Sequence, residues 1–84
     1  MQSSRFERSI EVTWHARKRM AERSIDDARL LDLIDTGETR YKDPSRLWIY
    51  KRYDDRHDDL LCAAVVLLEC TLVVKTVMHR FQLA

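Results

Sequence analysis

His15, Arg19 and Arg23 follow one another at intervals of four, so on a helix they line one face and hold an imidazole beside two guanidiniums. An imidazole gives or takes a proton close to neutrality, and a guanidinium grips a phosphate through two parallel hydrogen bonds. That pairing suits phosphodiester cleavage. The same residues also make an ordinary solvated helix face with Glu22 as a partial counter-ion, and the pattern alone leaves both readings open.

A second group closes the chain, with Lys75, Thr76, His79 and Arg80 together. In a regularly alternating strand Lys75 and His79 share one face, and Thr76 and Arg80 share the other. Lys75 and His79 would then join Trp48, Tyr50 and Arg52 of a neighbouring strand, on the sheet face turned away from the helices. Aromatic rings beside cations are what a surface for single-stranded RNA needs. Trp48 and Tyr50 would serve equally well as simple sheet packing. A third stretch, Asp54-Asp55-Arg56-His57-Asp58-Asp59, has the side chains of a metal site. It contains no glycine to fold it around an ion and has Arg56 in its middle, so it reads as a solvated loop. No metal or cofactor is expected.

The elements that must position these groups are legible in the periodicity. Ile10, Val12 and Trp14 alternate with polar neighbours and suit a short strand or an extended lead-in, while residues 1–9 read as a polar, frayed end. Thr13 is the expected N-cap of a helix from about Trp14 to Arg23, with Ala16 and Met20 turned inward. Ser24, with Asp27 three residues on, resembles a capping box, and Ile25, Ala28, Leu31, Leu33 and Ile34 form the apolar stripe of a second helix to Thr36. Gly37, the only glycine, is expected to close it in the left-handed conformation.

The period then changes to two. A strand over Thr39 to Lys42, a turn at Asp43-Pro44-Ser45 and a strand over Leu47 to Tyr53 are predicted. Residues 60–68 are apolar throughout and read as a central strand covered on both faces, with Val66 at its middle and truncation to alanine there costing on the order of 2 kcal/mol or more. A hairpin at Glu69-Cys70 leads to a last strand from Thr71 to Met78. The expected fold class is α+β: two N-terminal helices packed on a C-terminal antiparallel sheet of three to four strands.

Composition sets bounds on function. Eighty-four residues allow one domain with one core. The 45% hydrophobic content is enough to build that core, unlike the composition of a disordered chain. With 15 Lys and Arg against 14 Asp and Glu, the net charge of +1 gives no global pull on nucleic acid, so any basic site must be local. Cys62 and Cys70 are too few for a disulfide framework, too far apart on a hairpin to be bonded, and lack a zinc spacing. No apolar run approaches the length of a membrane span or a signal peptide, and a cytoplasmic protein is expected.

One segment, His15-x-x-x-Arg19-Met20-x-Glu22-Arg23, followed by Ser24-Ile25 and a helix ending in glycine, is similar to the opening of the domain-of-unknown-function 4258 family. Val74-Lys75-Thr76-Val77-Met78-His79 looks like the V-x-T-V strand that ends its members, and the likeness runs from about Val12 to Met78. That family is usually grouped with RelE and BrnT-like toxins in the barnase, EndoU, colicin and RelE superfamily. The resemblance implies two helices on an antiparallel sheet and RNA cleavage without metal. It implies His15 as general acid or base, Arg19 and Arg23 on phosphate, and Lys75, Thr76 and His79 on the strand side. The partners it implies are RNA, with or without the ribosome, and a neutralising antitoxin protein.

Two functional expectations follow. One is a metal-independent endoribonuclease toxin, with His15, Arg19 and His79 catalytic and Arg23, Arg52, Lys75, Thr76, Tyr50 and Trp48 binding substrate. The other is a non-catalytic module that binds a protein or nucleic acid on the same surface.

Overall fold

The computed structural model describes residues 1–54 and 60–79, without the side chains of Leu60 and His79. The acidic stretch read as a loop therefore lies, apart from Asp54, outside the described residues, as does Arg80. The elements in chain order are β1 (Gln2–Ser3), β2 (Arg8–Val12), α1 (Trp14–Glu22), α2 (Asp27–Thr36), β3 (Glu38–Asp43), β4 (Arg46–Arg52), β5 (Leu60–Leu67) and β6 (Thr71–His79).

Local chemistry explains where the helices begin and end. Thr13 is extended and its hydroxyl accepts from the amide of Ala16 at 3.1 Å, relieving one orphan donor at the start of α1. The helix ends in a Schellman turn: the amide of Ser24 donates to the Ala21 carbonyl at 3.3 Å and that of Ile25 to the Met20 carbonyl at 2.9 Å. Ser24, at φ 55°, occupies the left-handed position usually filled by glycine. Ile25 and Met20, the residues such a turn brings into contact, are both buried. Ser24 thus ends the first helix instead of capping the second. The cap of α2 is Asp26, whose carboxylate accepts from the Arg29 amide at 2.8 Å.

The sheet is larger than expected and mixed. Its order is β1-β2-β6-β5-β4-β3, with β2 parallel to β6 and every other pair antiparallel. Two of the six strands come from the N-terminus, so the expected three-to-four-stranded antiparallel sheet is corrected. The cause is non-local: the two helices carry the chain across the sheet, so β2 lies along β6 in the same direction. The supposedly frayed end is held in place. Arg5 donates to the carbonyls of Ile34 at 3.1 Å and Gly37 at 2.5 Å, capping the end of α2, while Ser3 donates to Asp35 at 2.6 Å.

Both helices cover one face of this sheet. Ala16 and Met20 of α1 and Leu30, Leu33 and Ile34 of α2 close over Ile10, Leu47, Ile49, Leu61, Ala63, Val65, Leu72, Val74 and Val77, all buried. No second layer among the described residues covers the other face. Strand β5 is central, as expected, but it is not enclosed on both sides: Val65 is buried and Val66 is half-buried on the open face, in register with Arg46. The carboxylate of Asp43 organises the turn into β4. It accepts from the amides of Ser45 at 3.0 Å and Arg46 at 2.8 Å, and the Arg46 guanidinium beside it pulls its pKa down to about 2.

Candidate nucleic-acid interface

The open face of the sheet is built by the alternation of β3, β4 and β5. Trp48 of β4 stands between Arg40 of β3 and Ala64 of β5, and Ala64 is in turn in register with Thr76 of β6. One step along, Tyr50 lies between Glu38 and Cys62, and Cys62 is in register with Met78. Since Leu47 and Ile49 point into the core, Trp48 and Tyr50 must point away from it. Trp48 is 38% exposed on this face, one strand in from the β3 edge.

Cations frame the tryptophan. Lys42, Arg46, Trp48, Ala64, Val66 and Lys75 line one shallow groove, and Arg40, Tyr41, Lys42 and Trp48 line the adjoining one at the β3 edge. Arg46 is held by Asp43 through Nε at 2.6 Å, which fixes its direction at the mouth of the groove. The Tyr50 hydroxyl is hydrogen-bonded to the Glu38 carboxylate, which raises its pKa and keeps it a neutral phenol. Exposed aromatic rings, small apolar neighbours and four basic side chains on one surface can stack a base and neutralise a phosphate.

The residues at the end of the sheet are arranged differently from simple alternation. Val65 pairs with Val74 and Ala64 with Thr76, so Lys75 is the extra residue of a β-bulge. The bulge reverses the parity of everything after it. Thr76, assigned by alternation to the face opposite Lys75, shares the open face with Trp48, and Lys75 reaches the same groove. The backbone of His79 falls in register with Leu61, and its side chain lies outside the described residues. The expected grouping of His79 with Trp48 and Tyr50 thus falls on a side chain outside the described residues. Arg52 stands at the last position of β4, in register with Leu60.

His15, Arg19 and Arg23 belong to the helix layer, on the far side of the core from Trp48. His15 is exposed. Arg19 pairs with Glu22 at 3.2 Å and Arg23 with the same carboxylate at 3.6 Å, so a single acid partly neutralises both guanidiniums. Arg17 is bonded to Asp27 of α2. The start of α1 is tied to the middle of β6: Thr13 donates its amide to the Val74 carbonyl and its hydroxyl to the Lys75 carbonyl, both at 3.2 Å.

Sequence reasoning found Trp48, Tyr50, Lys75 and Thr76 but missed Arg40, Lys42 and Arg46. The signal for Arg40 and Arg46 was present, because even-numbered positions on β3 and β4 face outward once Ile49 is known to be buried. Among the described residues no group of three or more His, Cys, Asp or Glu could hold a metal ion, and no helix is long and apolar enough to cross a membrane.

A family model described as domain of unknown function (DUF4258) matches residues 12–79. No curated protein and no solved structure matches the chain. The matched region runs from the end of β2 through β6, and β1 with nearly all of β2 lies outside it.

Proposed function

We propose that this chain, which belongs to the DUF4258 family, acts on single-stranded RNA through the uncovered face of its sheet. The observation that carries the reading is the placement of Trp48: half-exposed on that face, one strand in from the β3 edge, and sharing grooves with Arg40, Lys42, Arg46 and Lys75. Base stacking on such a ring is worth about 1–3 kcal/mol per base and tolerates any sequence. A local cluster of cations supplies the phosphate attraction that a net charge of +1 does not.

A second reading, metal-independent cleavage of the bound RNA as in toxins of the RelE type, is favoured by the link between Thr13 and Lys75. That link sets the first turn of α1, with His15, beside the middle of β6, which carries Lys75 and Thr76. In such a cleavage the 2′-hydroxyl attacks the adjacent phosphorus, a base takes its proton, and an acid returns one to the departing 5′ oxygen. His15 and His79 are the imidazoles assigned to those steps, with Lys75 on the phosphate from the sheet side and Arg19 and Arg23 from the helix layer. A toxin of this kind would work in the cytoplasm, alone or at the ribosome, and an antitoxin would cover the same surface. The free thiols of Cys62 and Cys70 suit that reducing compartment.

Equilibrium binding of a mixed-sequence RNA in low salt and EDTA tests the first reading. Trp48→Ala should weaken binding at least roughly five-fold with an unchanged circular dichroism spectrum; equal affinity would sink it. Incubation of the same RNA tests the second. Cleavage abolished in His15→Ala or His79→Ala supports a nuclease, and intact RNA together with normal growth of an expressing host leaves a binding module.

A further inference from the structure

The chain has two tryptophans, and the sheet face uses only one of them. Trp14, the first residue of α1, is 78% exposed, far more than Trp48. Leaving so large an apolar surface in water forgoes the stabilisation of burying it, which an RNA-binding protein can recover by stacking a base there. Lys18, one turn along, holds its ammonium 5.6 Å from the centre of the Trp14 ring. Trp14 and Lys18 thus repeat the combination found at Trp48, a ring for a base beside a cation for a phosphate.

The backbone connects the two places. Strand β2 ends at Val12 opposite Val74, so from Lys75 onward the flank of β6 meets the start of α1 instead of another strand. Thr13, immediately before Trp14, is bonded to the Lys75 carbonyl, and the Lys75 side chain lines the groove of Trp48. Trp48, Ala64 and Thr76 are aligned across three adjacent strands, and Thr13 lies one strand position further. Three inter-strand steps amount to about 15 Å, which a few nucleotides of extended chain can span. Among the described residues no carboxylate pairs with Lys18 or Lys75, whereas Arg17, Arg19 and Arg23 all have acidic partners.

We infer that RNA bound on the sheet face continues past Lys75, around the flank of β6 that β2 leaves open, to a second stacking station formed by Trp14 and Lys18. This rests on the RNA-binding reading of Trp48 and extends it to a longer substrate. Two exposed rings, each beside a lysine with no carboxylate partner among the described residues, fit a polyanion with stackable bases at intervals.

Length dependence distinguishes the two stations. Wild type, Trp14→Ala and Trp48→Ala are compared by fluorescence anisotropy with a labelled RNA trinucleotide and a labelled dodecanucleotide. Trp14→Ala is expected to weaken the dodecanucleotide roughly five-fold or more and leave the trinucleotide unchanged, while Trp48→Ala weakens both. In Trp48→Ala the emission of Trp14, then the only tryptophan, should be quenched by the dodecanucleotide alone. If Trp14→Ala binds the dodecanucleotide as the wild type does while Trp48→Ala does not, the second station is wrong and the sheet platform stands. If neither substitution weakens either RNA, the platform falls and the second station with it.

Discussion

Gly37 stands so close to β4 that a methyl group on its Cα would lie 2.9 Å from the carbonyl oxygen of Tyr50. The same methyl would meet the Leu33 carbonyl at 2.6 Å and the Ile49 side chain at 2.8 Å. With φ at −71° the glycine is not left-handed, so its role is close approach and not the conformational freedom expected of a helix stop. Two of the three obstacles are backbone atoms that cannot swing aside. Gly37→Ala should therefore destabilise the protein by about 1–3 kcal/mol, read from the urea midpoint. A midpoint equal to the wild type would show that α2 and β4 are further apart.

The centre of the core strand offers a paired test. Val65 is 2% exposed among the helix-facing residues, whereas Val66 is half-buried on the open face. Val65→Ala should cost about 2 kcal/mol and Val66→Ala less than about 1 kcal/mol. The reverse order in denaturant titrations would place the helices on the other face of the sheet.

Asp32 ties α2 to the end of β4. It accepts from the Tyr53 hydroxyl at 2.5 Å and from Lys51 Nζ at 3.1 Å, and these bonds, the first foremost, lower its pKa from 3.8. Because the folded pKa is the lower one, the stability gained is fully present above the unfolded value and is lost as pH falls through the folded value. The stability gap between wild type and Asp32→Asn should thus be constant near neutrality and narrow below about pH 4. A gap independent of pH down to about pH 2 would mean that the carboxylate charge contributes nothing.

The two thiols should react differently. Cys62 is fully buried and burial pushes its pKa up to about 12, while Cys70 is exposed at the β5–β6 turn. Alkylation of the native protein should modify Cys70 alone, and both thiols after unfolding in denaturant, as counted by mass. Rapid labelling of Cys62 in the native state would contradict the packing beneath the open face.

Salt titration separates phosphate contacts from stacking. If Lys75 meets a phosphate, Lys75→Ala should reduce the slope of log affinity against log salt by roughly 0.7 for a single strand, and Trp48→Ala should lower affinity with the slope kept. An unchanged slope in Lys75→Ala would remove that lysine from the path of the RNA.

The amino-acid sequence by itself determined what depends on neighbours within a few residues. Thr13 capped the helix it was expected to cap, Ala16 and Met20 turned inward, and the Asp43-Pro44-Ser45 turn and the strands on either side of it fell within a residue or two of their predicted places. Caps, helical stripes and tight turns are local devices whose partners are close in the chain. The tertiary structure alone decided the rest. The alternation of Ile10 and Val12 suited a short strand, but no local signal told that it would run parallel to β6 or that residues 2–3 would pair with it, because the partners, Arg5 with Gly37 or Ile10 with Leu72, lie tens of residues away. Nor could alternation reveal the bulge at Lys75, which is set by the pairing of β6 with β5 and moves Thr76 onto the face of Trp48. The candidate site was thus legible as a set of residue types, but its division between an open sheet face and a helix layer was not. A one-residue shift in a two-residue period exchanges the faces, and only pairing across the sheet fixes where that shift falls.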